Sequence, residues 1–247
     1  MDLTSPVIEQ LYQAFSLHRA TLRCFCSHCV TLEDSQRLLS KSLRDLTATD
    51  LEDYAFSAMT TWGDVDDFKH FLPRLFEIVV AGERALFGLF EIVVKLQYAD
   101  WPQWPEPEKE AVLNVFDDVW LKILNEPPSL LYWEPSDFLI RLSEFSDSVR
   151  RWLDVWCEQD GYRPREQLMR FAYHVMEYDR PIGSCLSQFP CKYPVHAAEM
   201  VAWLAREETQ SYLDAGLLLP GADDDLADAS AVLESWRRSR LAHPISP

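Results

Sequence analysis

Three cysteines and a histidine crowd into six residues, Cys24-Phe25-Cys26-Ser27-His28-Cys29. Cys26 and Cys29 have the C-x2-C spacing of a zinc knuckle, and thiolates with imidazole suit a tetrahedral zinc site. Cys24 is the nearest further thiol, and His18 and His28 are close in sequence. A closed site needs four ligands. The chain holds no second C-x2-C, and its distant candidates are Cys185, Cys191 and His196. The metal reading therefore assigns Cys24, Cys26 and Cys29 to zinc. The plainer reading is a helix end rich in buried free cysteines, which behave as small hydrophobes, and half a motif favours it over the metal. A redox pair is less favoured still, because no βαβ pattern of the thioredoxin kind surrounds the motif.

A second dense stretch runs from Thr60 to His70 and holds Asp64, Asp66 and Asp67. With His70 they could ligate a divalent ion, and D-x-D resembles the opening of a calcium loop. The glycine and the closing glutamate fall in the wrong places for an EF-hand. Acids ahead of an apolar run are better read as the start of a helix, where they face the positive end of its dipole. No G-x-S-x-G, H-E-x-x-H, Walker loop or kinase signature is present. The expectation is a non-enzymatic chain.

A third group is aromatic. The chain has 9 Trp, 9 Tyr and 13 Phe. Most belong to the core, but Trp101, Trp104, Tyr132 and Trp133 sit beside prolines in loops. Between Ala99 and Pro127 there are seven acidic residues against two lysines. Aromatic anchors in an acidic rim are the composition of a surface that captures a basic protein. The candidate partner-binding residues are Trp101, Trp104, Glu106, Glu108, Glu110, Asp117 and Asp118. Packing of the tryptophans over the end of a helix bundle is the competing reading, with equal weight.

The elements that must position these groups are helical. Ile8, Leu11, Tyr12, Phe15 and Leu22 carry a first apolar stripe at helical spacing. Thr31 with Asp34 predicts a capped short helix to about Leu39, and Thr47 or Thr49 caps the next. Asp64, Asp66 and Asp67 precede Phe68, Phe71, Leu72, Leu75 and Phe76, with Pro73 inside the pattern as a kink or a new start. LFEIVV occurs at Leu75–Val80 and again at Leu89–Val94. A break near Ala81 and Gly82 is expected between the copies, because Gly82 and Gly88 weaken a helix. Tyr98–Pro107 is too rich in proline for regular helix. Further helices are expected from Glu106 to about Leu124, from Ser136 to about Glu158, and over Pro164–Tyr178, Val195–Ala215 and Leu226–Leu241. Pro127 and Pro128 end one of them, and Gly161 and Pro164 mark a stop and a start.

Strand-like alternation is absent and linkers are short. The expected class is all-α, a single domain over 1–247 of about nine or ten helices packed as antiparallel pairs. The 247 residues suffice for a continuous core. Only 7 glycines argue against barrels and phosphate loops. A formal net charge of −17 excludes the cationic patches that hold nucleic-acid backbones and repels anionic membranes. MDLTSPVIEQLYQ has no basic region ahead of an apolar core and is not read as a secretory signal. No apolar run reaches the ~18 residues of a transmembrane helix. Six cysteines in such a chain suit a reducing cytoplasm.

Three blocks add a resemblance. The C-x2-C of Cys26–Cys29, the run TTWGDVDDFKHFLPR within Leu43–Val79, and YADWPQWP within Lys95–Val112 resemble an uncharacterised bacterial family with the same motifs. The likeness covers about the first half of the chain. Such proteins are similar to the immunity proteins encoded beside secreted antibacterial toxins, including type VI secretion effectors. The resemblance implies a protein that binds and neutralises a cognate toxin in the producer's cytoplasm. Nuclease toxins are basic because they hold phosphates, and an acidic chain is a physically sensible partner for one. The alternative is a zinc-stabilised adaptor or metal-dependent enzyme built on Cys24, Cys26 and Cys29.

Overall fold

The computed structural model describes residues 5–126, 134–144, 146–178 and 189–242. Among them the chain is all-α, with 13 α-helices, three 3-10 turns and no strand. The count exceeds the nine or ten expected because two long predicted helices are split and a short helix at Phe189–Lys192 stands where none was expected. The contacts divide the chain into two compact units: Met1–Val119 with Pro128–Tyr132, and Trp120–Pro127 with Trp133–Pro247. The uniform composition that suggested one domain does not reveal this division.

The first unit holds α1 (Pro6–Ala14), α2 (Leu32–Leu39), α3 (Ala48–Ser57), α4 (Val65–Val80), α5 (Leu89–Tyr98) and most of α6 (Glu106–Asn125). Their starts follow from local chemistry. Thr31 and Thr47 each accept the backbone N–H three residues on, and Asp34 and Asp50 return the bond to the capping threonine. Asp64 caps α4 in the same reciprocal way with Asp67. Pro73 lies inside α4 without ending it. The helix stops where Gly82 takes a φ of +68°, which places the first LFEIVV at the end of α4 and the second at the start of α5. Leu11, Leu51, Tyr54, Phe68, Phe71, Leu72, Phe76, Val112 and Phe116 are fully buried. Tyr54 lies 4.6 Å from Phe71 and Phe76 lies 5.6 Å edge-on to Phe116, centroid to centroid.

The second unit takes the rest of α6, then α7 (Pro135–Leu142), α8 (Arg150–Asp154), α9 (Arg163–Tyr178), α10 (Phe189–Lys192), α11 (Pro194–Leu204), α12 (Glu207–Gly216) and α13 (Asp224–Ala242). The helix expected over 136–158 is instead α7, α8 and a 3-10 turn at Trp156–Glu158. Glu199 of α11 accepts the Val149 N–H at 2.9 Å and the Ser148 hydroxyl, so a distant carboxylate fixes the start of α8. Ser136, expected as a cap, is buried within α7, which starts at Pro135 behind Glu134. The helix expected over 195–215 is broken at Arg206, whose extended backbone precedes α12. Thr209 then bonds the Trp203 carbonyl. Pro127, Pro128, Tyr132, Trp133 and Cys185 lie outside the described residues.

Candidate functional site

The cysteine segment is a loop, not a helix end. Leu22 has a φ of +47° and is buried, and the chain then runs extended to Cys26. The loop is stitched to the turn after α3. Cys26 N–H donates to the Thr61 carbonyl at 2.8 Å, Gly63 N–H to the Cys24 carbonyl at 2.6 Å, and Phe25 pairs with Trp62. Cys24 and Cys29 are exposed and Cys26 is half-exposed, which corrects the expectation of buried thiols. Among the described residues no three His, Cys, Asp or Glu side chains converge as a metal set. Cys191 and His196 belong to the second unit.

The aspartates after Gly63 are structural. Asp64 Oδ1 accepts the N–H groups of Asp66 and Asp67. Asp67 is buried; its Oδ1 accepts Thr21 N–H at 2.6 Å and Leu22 N–H at 3.0 Å, and its Oδ2 accepts Asp64 N–H at 3.1 Å. One carboxylate thus closes the cap of α4 and anchors the cysteine loop. Gly63 makes room for it. Its φ is +74°, and a Cβ there would stand 2.9 Å from Asp67 Oδ2. His70 Nδ1 donates to the His18 carbonyl at 3.1 Å, and burial pushes its imidazole below the ordinary histidine range.

His18 stands between two carboxylates, 3.0 Å from Glu108 Oε1 and 3.5 Å from Asp66 Oδ1. Glu108 is also paired with Lys69 at 2.7 Å, and both are buried. The Lys69 ammonium rests 4.3 Å over the Trp104 ring. Trp104 packs 5.7 Å edge-on to Phe15 and gives its indole N–H to the Ala99 carbonyl at 2.9 Å. Lys69, Glu108 and Trp104 are buried, His18 is half-buried and Asp66 is exposed, so the cluster is a chain of charged contacts that runs from the interior to the surface.

Of the expected binding residues, both indoles are buried. Trp101 and Trp104 are 5% and 6% exposed, and Glu108 is spent on Lys69 and His18. Neither indole offers a partner an aromatic edge. Glu106 and Glu110 are exposed on the first turns of α6, and Asp117 and Asp118 are half-exposed on the same helix. Exposed apolar side chains of this unit lie elsewhere, on α3, on α5 and in the loop ahead of α5. Phe56, Leu86, Phe90 and Tyr98 are 47%, 78%, 38% and 63% exposed. Lys95 ties the two helices together, its ammonium donating to the carbonyls of Phe56 at 2.7 Å and Ala58 at 2.9 Å beneath the Tyr98 ring. Leu86 N–H donates to Glu52 at 3.1 Å. Glu52, Asp53, Glu83, Glu91 and Asp100 lie on these helices and their flanks, against the exposed Arg84 and the buried Lys95. Sequence reasoning missed this face because Phe56 and Phe90 fall within helical patterns that read as core. The signal for it was that neither keeps register with its buried neighbours, Leu51, Tyr54 and Ala55 on α3 and Ile92, Val93 and Leu96 on α5.

Among the described residues no helix is long and apolar enough to cross a membrane. No family model, curated protein or solved structure matches the chain.

Proposed function

We propose that this chain is a non-enzymatic binding protein for a basic protein partner, and that it acts as an immunity protein for a secreted antibacterial toxin in the producer's cytoplasm. The observation that carries the reading is the set of exposed apolar side chains on α3, on α5 and in the loop before α5, with five carboxylates on the same elements and their flanks. Apolar anchors inside a charged rim are how an interface gains both affinity and orientation. The net charge of −17 extends the same sign over the molecule and steers a cationic partner. The three sequence blocks shared with the bacterial family support the toxin as the partner class, and a basic nuclease is the toxin whose charge fits best.

The test is co-expression with the basic product of an adjacent gene. The chain should protect cells from that product and co-purify with it as a 1:1 complex that weakens as salt rises. Phe56→Arg with Tyr98→Arg should abolish both protection and complex while the helical spectrum stays unchanged. If no adjacent basic product is neutralised, the immunity reading fails. If the doubly substituted protein protects as well as the parent, the α3–α5 face is not the binding surface.

A further inference from the structure

The cysteine turn carries chemistry that partner binding does not use. Cys29 N–H donates to the Cys26 carbonyl at 2.9 Å and Val30 N–H donates to the same oxygen at 3.0 Å. That closes a turn over Ser27 and His28, and such a turn holds its end Cα atoms within ~7 Å. A disulfide spans about that distance. Both thiols are free and reach solvent. The bonds from Cys26 N–H to Thr61 and from Gly63 to Cys24 fix the loop in this shape from outside the turn.

From this geometry we propose that Cys26 and Cys29 are a reversible thiol–disulfide site, with Cys26 attacking and Cys29 resolving, that exchanges with small disulfides of the glutathione class. In the first step the Cys26 thiolate attacks one sulfur of glutathione disulfide and releases one glutathione thiolate. Cys29 then gives up its proton and attacks the Cys26 sulfur, releasing the second glutathione. Two protein thiols are oxidised to one disulfide and one glutathione disulfide is reduced to two thiols, so electrons balance. The donors set the order of attack. The His28 N–H, with the Cys29 thiol, holds Cys26 below the ordinary thiol range, while that same bond to Cys26 raises Cys29. Cys157 differs, since burial pushes its thiol to about 11. Oxidation joins two ends of an existing turn, so it leaves the fold intact. The proposal is independent of the α3–α5 face.

The experiment equilibrates fully reduced, full-length protein with glutathione buffers of graded oxidation under argon, traps free thiols by alkylation, and reads intact mass and linked peptides. Two alkylation sites should disappear together, with Cys26 and Cys29 recovered as one linked peptide. Cys29→Ser should accumulate one glutathione on Cys26. Cys26→Ser should take up glutathione at Cys29 more slowly, because Cys29 lacks the His28 N–H that favours the Cys26 thiolate. Three outcomes overturn the proposal: both cysteines stay alkylatable at every buffer ratio; the two variants react at equal rates; or the purified protein holds stoichiometric zinc that must be chelated before either thiol alkylates.

Discussion

Asp67 shows how much one side chain organises. Its two oxygens bind three backbone N–H groups, two of them from residues 45 and 46 positions away. Asp67→Asn puts an amide donor against at least one of those donors whichever way it turns. We expect a loss of roughly 2–4 kcal/mol in urea unfolding at neutral pH, the scale of a charged hydrogen bond replaced by a buried clash. A change under about 0.5 kcal/mol would show that the carboxylate is not the anchor. Lys69 and Glu108 make a second test. Lys69→Met alone leaves a buried carboxylate short of its cation and should cost about 3–5 kcal/mol. Combined with Glu108→Gln it should cost clearly less than the two single losses added together, and strict additivity would deny the coupling. At this scale the sequence showed that the 64–67 acids open a helix, because those acids and the apolar run they precede are neighbours. It could not show Thr21 and Leu22 as the other partners, because their approach depends on the folded loop.

Single helices repeat the lesson. The Thr31–Asp34 box was legible, and so was a cap at Thr47 or Thr49, since all the bonding groups lie within one turn. Asp50 also takes the Lys41 ammonium at 2.7 Å, and this pairing, with the Thr47 bonds, brings its carboxyl down to about 2 despite opposing desolvation. A depressed carboxylate stabilises the fold fully above its unfolded pKa of ~3.9 and loses that contribution as pH falls toward the folded value. The stability gap between the parent and Asp50→Asn should therefore be constant above about pH 5 and should shrink between about 4 and 2. A pH series of chemical denaturation reads it, and a gap unchanged at pH 3 would sink the assignment. The split between α7 and α8 was not legible, because the carboxylate that starts α8 comes from Glu199, 50 residues on. The same holds for Lys95, a lone cation in an apolar run that proves to cap the carbonyl end of α3.

For the whole molecule, composition was the better guide to charge and the poorer guide to surface. The all-α class and the acidic balance could be read directly. The burial of Trp104 could not, because it depends on Phe15 and Lys69 from other elements. We expect Trp104→Phe to lower stability through the lost indole bond and packing. The Phe56 and Tyr98 substitutions should instead leave the unfolding midpoint within about 0.5 kcal/mol of the parent, as surface changes do. Thermal melts of the variants separate the two cases, and a large loss from the Phe56 and Tyr98 changes would place those rings in the core. The second unit carries its own marker. Trp156 sits 5.1 Å from Trp120 and 5.5 Å from Trp203, with all three rings buried. Indoles this close share their electronic excitation. Their circular dichroism should therefore contain a paired positive and negative band that Trp203→Phe removes. The light the chain absorbs would then report the integrity of one half of the molecule without any label.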